Sequence, residues 1–163
     1  LGGEDLDEFS VGQVAWFVGD DEIFIFGEPS GHRFWYPVNE HPADKATYTA
    51  TYTVDAPFQV VANGSLVERV DSGGTSTFTW SSRDPMASYL VTFHAGRLDI
   101  EEMTTSSGIP VVLSFHEDVP EAQREIFREI PEMVDFAETI FGPYPFESIG
   151  AAVVGMDLMG VAL

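Results

Sequence analysis

Four histidines, His32, His41, His94 and His116, are the residues best suited to metal or general-base chemistry. Two histidines four apart on a helix share one face and can close on zinc, with a glutamate between them as base. No two of these four have that spacing. His116-Glu117 begins such a motif, but Pro120 stands where the second histidine belongs. Cysteine is absent, which excludes disulfides, thiolate metal sites and thiol nucleophiles. No G-x-S-x-G elbow, phosphate-binding loop or D-x-D-x-D-G calcium loop occurs. Carboxylates number 27, and a glycosidase pair is defined by its separation in space, which spacing along the chain does not give. The Asp5–Asp7–Glu8 cluster reads as a solvated terminus. The residues by themselves therefore show no catalytic set.

The charge narrows the partners. Seven Lys and Arg stand against 27 Asp and Glu, a net charge of −20. Such a surface repels phosphate backbones and anionic membranes, so no nucleic-acid partner is expected. It suits solubility in a salt-rich setting, or attraction of a cation such as a free amino terminus. No apolar run approaches the roughly 18 residues that cross a bilayer, so no membrane span is expected. The chain opens on Leu1-Gly2-Gly3 without an initiator Met or a basic leader, and ends on Met159-Gly160-Val161-Ala162-Leu163. Both ends are expected to lie inside a longer protein.

The elements that would carry any site are short and punctuated by 15 Gly and 10 Pro. From Lys45 to Val54, Ala46, Tyr48, Ala50, Tyr52 and Val54 alternate with four threonines, the period of a half-buried strand. Further strands are expected over 58–62, 65–70, 75–82, 89–95, 97–103 and 109–115. Asn63-Gly64 and Gly73-Gly74 supply hairpin turns. Phe78, Trp80, Tyr48 and Tyr52 fall at strand period two, so they are expected to pack inward rather than form a sugar-stacking platform. Beyond residue 117 the period changes. Ala122, Ile126, Ile130, Met133, Ala137 and Ile140 predict the buried stripe of a helix of about twenty residues. Asp118 is its expected cap, Arg124 lies on its polar face and Pro131 should kink or split it. A last apolar strand covers 149–154. Strands first, then a helix and a strand, predict a mainly β chain: an antiparallel sheet or sandwich domain over 1–117, then the opening of a mixed α+β domain over 118–163.

Five stretches in order resemble one family. Glu28-Pro29-Ser30-Gly31-His32-Arg33-Phe34-Trp35-Tyr36-Pro37-Val38-Asn39-Glu40-His41-Pro42 is similar to E-P-x-x-A-R-x-x-F-P-x-x-D-x-P. Asp44-Lys45-Ala46-Thr47-Tyr48 follows it. Val61-Ala62-Asn63-Gly64 resembles an A-N-G turn, Pro85-Met86-Ala87-Ser88-Tyr89-Leu90 resembles P-M-x-x-Y-L, and Phe141-Gly142-Pro143-Tyr144-Pro145-Phe146 resembles F-G-x-Y-P. Together they resemble the zinc aminopeptidases of the aminopeptidase N and leukotriene hydrolase type.

That resemblance implies a saddle-shaped β domain followed by the start of a thermolysin-like catalytic domain. In such a protein metal-activated water attacks the first peptide bond. Zinc is expected in the parent protein and none on this chain, because the zinc motif would lie beyond residue 163. This chain alone is therefore expected to be inactive. Glu28 stands where the family holds the free α-amine of the substrate. Gly160, Val161 and Ala162 resemble the family's loop whose backbone binds the substrate main chain. The implied partners are a peptide, through its free N-terminus, and the remainder of the catalytic domain. Arg33 is expected to serve an ion pair. Two further readings stay open: a β-sheet module that binds peptides or proteins without catalysis, and a relative that opens epoxides. A carbohydrate-binding sandwich would instead require exposed aromatics on one sheet face.

Overall fold

The computed structural model describes residues 16–155. The chain is mainly β, with antiparallel sheets followed by a helical segment and a strand. Ten strands occur among these residues: β1 (Trp16–Val18), β2 (Glu22–Ile25), β3 (Ala46–Asp55), β4 (Gln59–Ala62), β5 (Ser65–Ser72), β6 (Thr75–Met86), β7 (Phe93–Gly96), β8 (Leu98–Thr104), β9 (Pro110–His116) and β10 (Ile149–Val153). They form three sheets of order β1-β2-β7-β4, β3-β6-β5 and β10-β9-β8.

The alternation read from residues 45–54 is realised in β3. Its tyrosines are half-buried and its threonines are exposed. Opposite it, Phe78 and Trp80 of β6 are buried against Tyr52 and Ala50. The outer face carries a hydroxyl ladder. Thr49 faces Ser81 at 3.1 Å, Thr51 faces Thr79 at 3.2 Å and Thr53 faces Thr77 at 3.0 Å, and such cross-strand pairs fix the register. Ile25, Val60, Phe93 and Ala95 of the first sheet close over Phe78 and Trp80 to form one core. Within it the Trp80 indole donates to the Val60 carbonyl at 3.2 Å.

Asn63-Gly64 does not make the expected hairpin. β4 pairs with β7, whereas β5 pairs with β6, so the chain changes sheets at this turn. Gly64 has φ +87°, and a Cβ there would stand 2.1 Å from the Ser81 carbonyl oxygen. Both the conformation and the close approach require glycine. Gly64→Ala is expected to cost about 1–2 kcal/mol, read as a lower midpoint in urea with an unchanged slope. An unchanged midpoint would contradict the tight approach.

β9 is buried on both faces. Val111, Leu113 and Phe115 point to a second core with Val119, Phe127, Ile130 and Ile149, while Ser114 and His116 point the other way. β10 joins β9 in parallel, from Ile149 opposite Val111 to Val153 opposite Phe115. Residue 117, where the sequence reading divides the chain, lies between these two paired strands.

The helical segment is split as Pro131 foretold. α1 (Glu121–Arg124) passes into a 3₁₀ stretch, Glu125–Glu129, and then into α2 (Ile130–Phe141), with Pro131 in its first turn. Pro120, not Asp118, is the N-terminal cap. The expected apolar stripe is turned outward: Ala122, Ile126, Met133 and Ile140 are exposed, while Ile130 and Ala137 are half-buried. Each 3₁₀ residue advances 120° rather than 100°, so five of them rotate the turns of α2 by roughly 100°. Phe127, Ile130 and Val134 thereby face the sheet. Arg124, expected on the polar face, is buried instead. It donates to the Val119 carbonyl at 2.8 Å, pairs with Asp99 at 2.8 Å and lies over the Phe115 ring at 5.1 Å.

Candidate functional site

The segments singled out in the sequence lie far apart along the chain, and the fold joins them by hydrogen bonds. Glu28 follows β2 in a turn closed by the Gly31 amide on the Gly27 carbonyl at 2.6 Å. The Glu28-Pro29 peptide is cis, and the Glu28 side chain is exposed. The 3₁₀ turn His32–Phe34 follows. His32 is fully buried, and its Nε2 donates to the Val91 carbonyl at 2.5 Å. Tyr36 donates to the Ser88 carbonyl at 3.2 Å. The Thr92 hydroxyl donates to the Ile25 carbonyl. These bonds lay residues 28–36 against 88–92. Arg33 serves an ion pair, with Glu40 at 2.8 Å.

The A-N-G turn is the next junction. Asn63 Oδ1 accepts the Thr92 amide at 2.6 Å, and the Gly64 carbonyl accepts the Ser148 hydroxyl at 2.7 Å. Residues 61–64, 86–94 and 144–152 thus surround a cavity of about 290 Å³. Trp80, Met86, Phe93 and Phe146 make its apolar wall, and Asn63, His94 and Glu147 bring polar atoms to it. Glu28 is not among the lining residues. Gly160, Val161 and Ala162 lie outside the described residues, so the structure does not test their placement against Glu28.

Glu147, on the cavity's polar edge, meets the Asp84 carboxyl, which is not itself a lining residue. The Arg83 amide donates to Glu147 Oε1 at 2.7 Å. The hydrogen bond to Glu147 pushes the Asp84 carboxyl above the ordinary aspartate value of 3.8, with burial and repulsion adding to it. Burial pushes Glu147 up, but the Arg83 amide and Asp84 outweigh it and hold Glu147 low. Of the two carboxyls, Asp84 is therefore the first to take a proton as the pH falls. A carboxyl whose pKa is raised by folding stabilises the fold in acid and loses that contribution as the pH rises through the raised value. Asp84→Asn keeps a donor toward Glu147 at every pH. It is expected to raise the melting temperature at pH 7, with the gain closing as the pH falls toward 3.8. A gain that persists unchanged in acid would show that the pair does not share a proton.

A second polar group escaped the sequence reading. Glu22, His94 and Ser114 come from three strands and are all but sealed from solvent. Residues 22, 94 and 114 have no local spacing that could have announced them. Among the described residues no three His, Asp or Glu side chains are placed to hold a metal ion. These residues therefore do not fit a zinc site, and no chemistry is routed through zinc on them. Among the same residues no helix is long and apolar enough to cross a membrane.

No family profile matches the chain. The human glutamyl aminopeptidase is 32% identical over 104 residues, which are 63% of this chain and 10% of that protein. The transcription initiation factor TFIID subunit 2 of Gallus gallus is 40% identical over 48 residues, 29% of this chain and 4% of that protein. The M1 zinc metallopeptidase of Deinococcus radiodurans, solved as a variant with a bound Tyr-Ser-Ala substrate, superposes with a TM-score of 0.80 at 25% identity. The match covers 88% of this chain and 34% of that one. The chain thus spans about a tenth of the human relative and a third of the solved structure. In sequence and in fold, this chain resembles the N-terminal β domain and the start of the catalytic domain of the zinc aminopeptidases of the aminopeptidase N and leukotriene hydrolase type.

Proposed function

We propose that this chain is the front part of a zinc-dependent aminopeptidase that removes N-terminal residues from peptides. Its β domain, 1–117, forms one side of the site, and 118–163 opens the catalytic domain. Glu28 accepts the substrate ammonium in a charge-assisted hydrogen bond, and the backbone of Gly160, Val161 and Ala162 binds the substrate main chain. Holding the amine fixes which peptide bond is first, which is what an exopeptidase must recognise. Zinc is held by residues of the parent protein outside this chain, where it supplies an activated water. Without them this chain is inactive.

The observation that carries the reading is the joining of the A-N-G, P-M and F-G-P-Y-P-F segments around one cavity, with the E-P segment laid against residues 88–91 beside it, in a fold similar to a metallopeptidase solved with a tripeptide substrate. The test is hydrolysis of an aminoacyl anilide and of its N-acetylated form by the full-length protein, with and without a chelator. Release from the free amine alone, lost on chelation and restored by zinc, is expected. Equal cleavage of the acetylated form would remove amine recognition.

The similarity to a transcription factor subunit favours a second reading, a non-catalytic protein-binding module on the same fold. Under that reading the full-length protein cleaves neither substrate.

A further inference from the structure

α2 is apolar over a wider arc than its own sheet covers. Ile130 packs on the second core, and Val134 and Ala137 lie within ~60° of it around the helix. Val134 is buried and Ala137 half-buried. Met133, Phe136 and Ile140 occupy the adjoining arc, again ~60° wide at 3.6 residues per turn. They are 51%, 67% and 58% exposed, and Phe141 at the helix end is 86% exposed. Glu132, Asp135, Glu138 and Thr139 hold the remaining, polar side. A helix with two apolar sides is suited to being covered on both, and a row of large apolar side chains in water marks an interface. The neighbouring sheet is open as well: β10 pairs with β9 and with no other strand among the described residues.

A second copy of this chain suits that face poorly. Each copy brings a net charge of −20, and like charges keep chains apart. A segment of the same polypeptide is instead held at high local concentration by its own connection. The solved metallopeptidase has chain enough for this, since the match covers 34% of it and leaves about two thirds outside. We propose that the Met133, Phe136 and Ile140 flank of α2, with Phe141, is the face on which the remainder of the catalytic domain packs. α2 is then a middle layer, between the β10-β9-β8 sheet and an apolar element of the same polypeptide outside these 163 residues. This rests on the reading of 118–163 as the opening of a larger domain.

The test uses the full-length protein and begins without any substitution. Under hydroxyl-radical footprinting, Met133 and Phe136 are expected to be oxidised at least about tenfold more slowly in the native protein than in urea, as buried groups are. Protection below about threefold would show an open face and overturn the proposal. A photoreactive benzoylphenylalanine in place of Phe136 then names the occupant. The expected product has the mass of one chain and joins position 136 to a residue beyond 163, while the same probe in place of Thr139, on the polar side, gives none. If the probe at 136 prevents folding, it is placed at Phe141 with the same expectation. A product of doubled mass would assign the face to a second copy, and a link confined to residues 1–163 would assign it to this chain itself. Either result, or an equal yield from Thr139, would overturn the proposal. Neither readout depends on catalysis. A protected and cross-linked face in a protein without aminopeptidase activity keeps the interface and sinks the enzyme reading, while an open face in an active enzyme sinks the interface alone.

Discussion

Glu28→Ala in the full-length protein is expected to lower kcat/KM for a peptide with a free amine by roughly 5- to 150-fold, which is 1–3 kcal/mol. That is the range for losing a hydrogen bond between a carboxylate and an ammonium. The loss should fall mainly on KM, because the ammonium is present in the ground state as well as in the transition state. Glu28→Gln keeps an acceptor without the charge and should lie between. Glu28 is exposed in this chain, so neither variant removes packing, and the melting temperature should hold. An unchanged kcat/KM in Glu28→Ala would take the residue out of the site.

Phe115→Ala is expected to cost about 3–5 kcal/mol of stability, the range for deleting a buried aromatic ring and leaving a cavity. Phe115 is fully buried in β9, packs edge-to-face on Phe127 with ring centroids 6.0 Å apart, and underlies the Arg124 guanidinium at 5.1 Å. Its loss weakens the sheet-to-helix contact and strips the buried Arg124 of its platform at once. A loss of this size is a large part of the stability of a typical domain. Urea unfolding of Phe115→Ala against the unaltered protein measures it. A loss below about 1 kcal/mol would mean that the helical segment does not depend on this core.

Much of the fold was legible where a local rule matched its surroundings. The threonine alternation from 45 to 54 became β3 because one face of that sheet is wet and the other packed. Gly73-Gly74 turns β5 into β6, and Pro131 splits the helical segment, because both act through their own backbone. β1 and β2 escaped notice, since runs of three and four residues show no period. Asn63-Gly64 has the chemistry of a hairpin, yet it redirects the chain, because the partners of β4 and β5 lie elsewhere in the sequence, on β7 and β6. The helical stripe misled because its period assumed a uniform α-helix.

The candidate site divides in the same way. The E-P, A-N-G, P-M and F-G-P-Y-P-F segments were recognisable as motifs, and the fold joins them. Glu28 was legible only through the resemblance, since nothing in its neighbours distinguishes it from a surface turn. Glu22, His94 and Ser114 are brought together by sheet pairing and by the packing of two sheets, so no spacing along the chain could reveal them. Arg124 was placed on the wrong side for a related reason. A guanidinium reads as solvent-facing until four acceptors are found around it, and those come from Asp99 and from three carbonyls of 116–119.

The most direct test is to read the residues that come after Leu163 in the full-length protein. A glutamate immediately after Leu163, with H-E-x-x-H within about a hundred residues, is the predicted result, since that motif places two histidines on one helix face for zinc. A full-length sequence in which H-E-x-x-H is missing or broken would contradict the enzyme reading. The β fold would stand, and its function would be that of a binding module.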